Sequence, residues 1–200
     1  VAEEGIEELL PHVDTLICVP NDRLLEVAPP GATLVEAFLL ADRALHHAVQ
    51  GIAEIILKPG LINVDFADVR AVLQNAGMAL IGIGEGSGES RARDAVESAV
   101  TSPLLETTLD GAKRLLVNIT SSSDFTLSEL QEAMERVAHF CDPDAEVILG
   151  HTMDEEMAGS VRVTVIATGM TGRKPAKTTV TTESATYSPE PAFREESVSP

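Results

Sequence analysis

Two aspartates and one asparagine stand close together in a single short stretch of the sequence and could act on a phosphoryl group. Asn63, Asp65 and Asp68 follow a Pro59-Gly60 break, and a helical pattern begins at Asp65. Residues three apart on a helix share one face, so the two carboxylates would project to the same side. Such a pair can orient a water molecule or a metal ion for attack on a phosphate.

The same spacing also has a purely structural interpretation. Asp65 has the side chain of a good helix N-cap, and Asp68 would complement the positive end of the helix dipole. Spacing alone favours this capping interpretation, and the catalytic one stays open beside it.

Other residue groups with chemical potential give weaker signals. The stretch 82–88 is glycine-rich, but no Lys-Ser/Thr follows it and Glu85 would repel a phosphate, so we predict a flexible turn after a strand. No histidine pair has the i, i+4 spacing of a zinc helix. Cys18 and Cys141 lie outside any Cys/His cluster, so we predict that they are reduced and buried. The sequence therefore predicts no metal site.

Composition and charge limit the partners. The formal net charge of −18 disfavours nucleic acid, whose phosphates need clustered Lys and Arg, and equally disfavours docking on an anionic membrane. No apolar run approaches the roughly 20 residues that span a bilayer, so we expect no membrane insertion. The chain is 44% hydrophobic with five Phe, one Tyr and no Trp, which predicts an aliphatic core of helices packed on a sheet.

One long helix and an alternation of strands and helices would position these residues. Thr33 and Glu36 have the capping-box spacing, and the apolar pattern that follows predicts a helix over Leu34–Leu57, about 36 Å long. The other predicted helices are Ala2–Leu10, Asp65–Asn75, Ser90–Ala99 and Leu127–Phe140. The predicted strands are Val13–Val19, Gly77–Gly84, Arg114–Ile119, Glu146–Leu149 and Val161–Thr168. No helix separates the last two strands, so the predicted α/β (α+β) sheet is mixed.

Several segments together resemble one family. "GLINVDFADVR" (Gly60 to Arg70) is similar to the catalytic loop of FtsZ, the bacterial tubulin-like cell-division GTPase. "PNDRLLEV", "AVQGIAEII", "SPLLE" and "VTVIATG" match the same family in the same order, so the resemblance covers about residues 1 to 170. It implies the fold of the tubulin/FtsZ C-terminal domain, in which a long central helix precedes a mixed four-stranded sheet with flanking helices.

The resemblance also implies a division into domains. Residues 1–31 would end the GTP-binding domain, 32–58 would form the central helix, and 59–170 would form the C-terminal, GTPase-activating domain. Residues 171–200 hold many Thr, Ser, Glu and Pro and no Leu, Ile or Met, which predicts a disordered acidic and polar linker tail.

The resemblance implies that the protein polymerises head to tail into the cytokinetic ring, in the cytoplasm at the division site. By the same resemblance, the loop of one subunit would complete the GTP site of the next. Asp65 and Asp68 would polarise the attacking water and Asn63 would help to line the site, with GTP as substrate and Mg²⁺ in the complete site. This arrangement makes hydrolysis depend on assembly.

The resemblance assigns three more residues to the guanine end of a GTP site. Asn21 would contact the base, Phe38 would pack on it, and Asp42 would pair with its N–H groups. A carboxylate can accept two N–H donors from one edge, which distinguishes guanine from adenine. Each residue has an ordinary alternative: Asn21 as a turn residue, Phe38 as a core residue, and Asp42 as a solvated acid beside Arg43.

Three points limit the resemblance or leave it open. The family's glycine-rich phosphate loop is absent from these 200 residues, so we expect the chain alone to bind GTP poorly and to be inactive.

Pro191–Phe193 resembles the family's C-terminal peptide for membrane tethers and division regulators, although Glu190 and Glu195 replace the usual apolar neighbours. The alternative functions are a non-catalytic filament-capping module of the same fold and a tubulin-like relative in DNA segregation.

Overall fold

The structure is a computed structural model that describes residues 2–19, 31–102, 105, 109 and 111–170. Its helices are α1 (Ala2–Leu9), α2 (Leu34–Leu57), α3 (Phe66–Leu73), α4 (Arg91–Val100) and α5 (Leu127–Phe140). Its strands are β1 (Thr15–Ile17), β2 (Gly77–Ser87), β3 (Arg114–Ser121), β4 (Glu146–Met153) and β5 (Ser160–Thr168). Short 3₁₀ turns occupy Leu10–His12 and Glu155–Met157. The predicted tail, 171–200, lies outside the described residues.

The strands form one mixed sheet in the order β1-β2-β5-β3-β4. β1 pairs with β2 and β3 with β4 in parallel, whereas β5 runs antiparallel to both β2 and β3. The predicted mixed α/β sheet with flanking helices is therefore confirmed. The described sheet has five strands rather than four, because the short β1, predicted to end a separate domain, adds to its edge.

The sheet is covered on both faces, and β3 shows this most directly. Leu115, Val117 and Ile119 project into a core cluster with α4 and α5, whereas Leu116 projects into a second cluster with residues of α2 and α3. All four side chains are fully buried. A strand buried on both faces reads as a continuous apolar run rather than an alternating one, which agrees with the sequence of β3.

Helix α2 has the predicted bounds and the predicted capping box. The Thr33 N–H donates to Glu36 Oε2 at 2.7 Å, and the Glu36 N–H donates to Thr33 Oγ1 at 3.3 Å. The described buried residues of α2 all lie in its C-terminal half, where Ala48 and Ile55 pack on the sheet. This packing fixes the end of α2 from which the candidate catalytic loop departs.

The prediction of a flexible turn at 82–88 is wrong, because β2 continues through Ser87. Gly82, Gly84 and Gly86 lie on the strand face that α4 covers. A Cβ at each would lie 2.0–2.1 Å from a backbone carbonyl oxygen of α4, namely that of Ala99, Ala95 and Arg91 respectively. Three glycines at alternate positions thus let the helix backbone rest directly on the strand.

The remaining predictions about local structure need smaller corrections. Cys18 and Cys141 are half-buried rather than buried. Strands β3 and β4 run two and four residues beyond their predicted ends, and β1 is shorter than predicted. The added residues include polar side chains, such as those of Thr120 and Thr152, which are buried in the sheet.

Candidate functional site

The candidate catalytic loop, residues 58–65, joins the end of α2 to the start of α3. Its first residue is fixed by charge. Lys58 Nζ lies 2.8 Å from Glu54 Oε1 and 3.3 Å from Oδ2 of Asp154, the residue that caps the 3₁₀ turn after β4. The hydrogen bond to the buried Glu54 carboxylate raises the pKa of Lys58. The loop therefore begins at a lysine whose ammonium group pairs with two acidic side chains, one in α2 and the other after β4.

The middle of the loop packs against β4 through close backbone contact. A Cβ at Gly60 would lie 1.4 Å from the carbonyl oxygen of His151, so only glycine fits there. The His151 N–H donates to the Ile62 carbonyl at 2.9 Å. The Leu61 N–H donates to Nδ1 of the same histidine at 3.3 Å. Three successive loop residues are thus held by one residue of the sheet.

The end of the loop is fixed by a buried side chain and a helix cap. Val64 is buried, and the space above Gly150 in β4 is filled by its Cγ2 atom, 3.0 Å from where a Cβ would stand. Asp65 is the N-cap of α3, with its Oδ1 accepting from the Asp68 N–H at 2.8 Å. The capping interpretation of Asp65 is therefore observed, and it leaves the second carboxylate oxygen for other contacts.

The three candidate catalytic residues lie on the exposed side of this fixed loop. Asn63, Asp65 and Asp68 are all exposed, and so are the apolar side chains of Leu61 and Phe66 beside them. Asn63 Oδ1 accepts from the Gly60 N–H at 2.9 Å, so its side chain braces the loop as well. Two carboxylates and an amide at one exposed, rigid site can position water on a phosphate that approaches from outside.

The candidate base-binding residues lie elsewhere. Phe38 and Asp42 are exposed, one turn apart, in the N-terminal half of α2. Asp42 is about 22 Å along the helix axis from Leu57, where the loop begins. Asn21 lies outside the described residues. The structure thus brings Asn63, Asp65 and Asp68 together and keeps Phe38 and Asp42 apart from them.

Local sequence spacing does not point to His151, the residue of the sheet that holds three successive loop residues. It indicates only that this histidine has no partner at the spacing of a zinc helix. Its position depends on the pairing of β3 with β4, which places it opposite Ile119, and Ser121 Oγ lies 2.9 Å from its Nε2 atom. Long-range register of this kind cannot be read from local spacing.

Among the described residues, no group of three or more His, Cys, Asp or Glu side chains is arranged to hold a metal ion. No helix in the described part of the chain has the length and hydropathy of a membrane span.

Comparison with known proteins identifies related chains. The family model described as "FtsZ family, C-terminal domain" matches residues 77–171. Cell division protein FtsZ 1 of Rhizobium meliloti (strain 1021) is 48% identical over 171 residues, which are 85% of this chain and 29% of the relative. Cell division protein FtsZ of Coxiella burnetii is 49% identical over 171 residues, 85% of this chain and 44% of the relative.

Solved structures agree with the sequence relatives. An empty FtsZ dimer from M. jannaschii superposes with a TM-score of 0.78 and 46% identity, over 84% of this chain and 49% of that one. CetZ2 from Haloferax volcanii shares the fold at a TM-score of 0.63 and 18% identity, over 87% of this chain and 52% of that one. The chain thus spans less than half the length of the curated relatives that it matches.

Proposed function

Because this chain belongs to the FtsZ family, we propose that it acts as the C-terminal, GTPase-activating part of a cell-division GTPase that polymerises head to tail. In this proposal Asn63, Asp65 and Asp68 complete the GTP site of the adjacent subunit. Residues 32–58 form the central helix of the whole protein, 59–170 the activating domain and 171–200 a linker. The protein works in the cytoplasm at the division site.

The observation that carries the proposal is the geometry of the loop 58–65. The loop is anchored at Lys58, Leu61, Ile62 and Val64, yet its polar side chains face solvent. Catalysis of phosphoryl transfer depends mainly on positioning and charge placement, so a rigid, outward-facing acidic loop suits a substrate carried by another molecule.

The separation along α2 supports action between subunits. Asp42, the proposed guanine acceptor, is about 22 Å along the helix axis from the start of the loop. One copy of the chain would then contact the base of one nucleotide and the phosphates of another. A head-to-tail contact of this kind does not close on itself and gives a filament.

In this proposal the side chains of the loop act by accepting hydrogen bonds from the attacking water. The carboxylates of Asp65 and Asp68 would hold and polarise the attacking water in line with the γ-phosphate, and the Asn63 amide would line the same site. Mg²⁺ in the complete site would neutralise charge on the phosphates. Asp65 and Asp68 would offer carboxylate oxygens, a ligand type that Mg²⁺ binds alongside phosphate oxygens and water.

A hybrid protein tests this function. In the hybrid, this chain replaces the matching region of the Rhizobium meliloti relative, and phosphate release from GTP is followed against protein concentration. The proposal predicts that Asp65→Asn and Asp68→Asn each lower the rate at least about 100-fold. Asp94→Asn, a matched change of an exposed first-turn acid in α4, should leave it unchanged.

The second candidate function is a non-catalytic filament cap, and the N-cap hydrogen bond of Asp65 favours it, because that bond explains the aspartate without catalysis. The same hybrid separates the two functions. A parent hybrid that releases no phosphate yet associates with the intact relative would support the cap, whereas full activity in both loop variants would remove Asp65 and Asp68 from catalysis. A partner peptide at Pro191–Phe193 for membrane tethers or division regulators stays a prediction, since it lies outside the described residues.

A further inference from the structure

A chain of hydrogen bonds joins the candidate catalytic loop to the interior of the sheet through one histidine. The Leu61 N–H donates to His151 Nδ1 at 3.3 Å, and His151 Nε2 lies 2.9 Å from Ser121 Oγ. The Ser121 hydroxyl in turn donates to the Ser122 carbonyl at 3.3 Å. Each link fixes the direction of the next, because a group that accepts at one end must donate at the other.

This order of donors and acceptors requires one form of the imidazole. Nδ1 can accept from the Leu61 amide only when it carries no proton, so the hydrogen of the neutral ring is on Nε2. Nε2 then donates to Ser121 Oγ, whose own hydrogen is used on Ser122. A protonated imidazole would instead direct a second N–H at the Leu61 N–H, and the contact with the loop would be lost.

The surroundings favour this neutral form. His151 is only 4% exposed, and the ring of Phe125 stacks on it with 5.9 Å between centroids. Burial lowers the pKa of His151. Charged groups on the neighbouring elements include two paired cations: Lys58 pairs with Glu54 and Asp154, and Arg91 pairs with Asp124 and Glu129.

We propose that His151 is a positioning residue of the catalytic loop: its neutral, Nε2-protonated imidazole holds the Leu61 amide and thereby sets Asn63 and Asp65 for attack on the neighbouring subunit's GTP. The inference rests on the proposed function for the reaction and on the contacts above for the positioning. It adds that hydrolysis depends on a histidine that touches no substrate atom.

Two substitutions test the two ring nitrogens of His151 separately. In His151→Asn, Oδ1 stands two bonds from Cβ, as Nδ1 does, so an acceptor for Leu61 remains and cannot be protonated. In His151→Gln, the polar atoms stand one bond farther out, as Nε2 does, so the contact with Ser121 can form and that with Leu61 is lost. His139→Asn, at an exposed histidine of α5, is the matched control.

The first measurement uses this chain alone and is independent of activity. Long-range ¹H–¹⁵N spectra of His151 near neutral pH should show Nε2 protonated and Nδ1 bare. The Leu61 amide should exchange with solvent about tenfold faster in His151→Gln than in the parent chain, and at nearly the parent rate in His151→Asn. Equal exchange in both variants, or a bare Nε2, would overturn the positioning contact.

The second measurement uses the hybrid protein and GTP. The inference predicts that His151→Gln lowers kcat about tenfold with little change in KM, whereas His151→Asn stays within about twofold of the parent. Because burial lowers the pKa of His151, the parent and His139→Asn should lose kcat only as the pH falls below the ordinary imidazole range, and His151→Asn should lose less. The melting temperatures of the two His151 variants are measured beside these rates.

The outcomes separate the two claims. Loss of activity that follows the melting temperature, rather than the position of the acceptor, would overturn the inference and leave His151 a packing residue. If Asp65→Asn and Asp68→Asn are inactive while both His151 variants are fully active, the inference fails and the proposed function stands. If the aspartate variants are active, the proposed function itself fails, whatever the His151 spectra show.

Discussion

At the scale of single residues, Asp65 has one observed task and one proposed task. Its Oδ1 caps α3 by accepting from the Asp68 N–H, and the proposal adds contact with the attacking water. The two tasks depend on different properties of the side chain. Capping needs a short side-chain oxygen, which Asn also has, whereas polarising water needs the negative charge.

The first prediction uses this difference. Asp65→Asn should leave the melting temperature nearly unchanged, because Asn and Asp are comparable N-caps, and should still abolish GTP hydrolysis in the hybrid. Asp65→Ala should lose the cap as well, at about 1 kcal/mol of unfolding free energy. Thermal melting of both variants, read beside phosphate release, checks this. A loss of hydrolysis only in the alanine variant would assign Asp65 to capping alone.

The second prediction concerns acid and the pair formed by Arg91 and Asp124. Arg91 is buried, and its Nη1 lies 2.7 Å from Asp124 Oδ2. The hydrogen bond from Arg91 lowers the pKa of Asp124 to about 2, and a second hydrogen bond from the Ser122 hydroxyl acts in the same direction. Since the folded-state pKa is below the ordinary value of 3.8, the unfolded chain binds this proton first. The stabilisation is therefore present above about pH 4 and is lost as the pH falls toward 2.

Urea unfolding midpoints measured from pH 5 down to about pH 2 test this effect. The parent chain should lose stability over that range more steeply than Asp124→Asn, which has no carboxylate to protonate there. Asp144→Asn, a change at an exposed turn acid, should follow the parent curve. Parallel curves for the parent and Asp124→Asn would show that the ion pair adds no stability.

At the scale of elements, the helices followed from the sequence more completely than the strands. The capping boxes at Thr33 and Thr126 mark the starts of α2 and α5, and the predicted bounds of both helices are those observed. These signals are local, so a single sequence contains them. The glycines of β2 wrongly predicted a flexible turn. What requires them is the close approach of α4, and α4 is a separate element that local spacing does not reveal.

The third prediction tests the glycine contact. Gly84→Ala should lower the free energy of unfolding by about 3 kcal/mol or more, because its Cβ would meet the Ala95 carbonyl oxygen at 2.1 Å and the Ala99 nitrogen at 2.4 Å. Gly5→Ala in α1 is the control, since a Cβ there meets nothing within 4 Å and alanine favours a helix by about 1 kcal/mol. Chemical denaturation compares the two. Equal stability of Gly84→Ala and the parent would contradict the packing of α4 on β2.

At the scale of the whole molecule, stability is concentrated around the sheet. β3 and β5 are central strands with fully buried side chains, whereas the described side chains of α2 before His47 are exposed or half-buried. The fourth prediction is that amides of β3 and β5 exchange with solvent most slowly and those of residues 34–46 much faster. Hydrogen exchange on this chain measures it. Equal protection of the two regions would show that α2 is stabilised by contacts other than those described.

The sequence predicted the candidate site only in part, because some of its contacts join segments that are far apart in the chain. Asn63, Asp65 and Asp68 follow one another in the sequence, so their grouping was visible there. The anchoring of the loop by His151, Gly60 and Gly150 joins segments about 90 residues apart and becomes visible only once β4 is paired in the sheet. The guanine-binding assignments of Phe38 and Asp42 stay predictions.

The most direct test of the account mixes two hybrid proteins that are each inactive alone. One carries Asp65→Asn and Asp68→Asn with an intact GTP site, and the other carries the intact loop with its GTP site disabled in the Rhizobium meliloti part. If the loop acts on the neighbouring subunit, the mixture should release phosphate from GTP at a rate that rises with assembly. A mixture as inactive as its parts, with co-assembly demonstrated by sedimentation, would contradict the account.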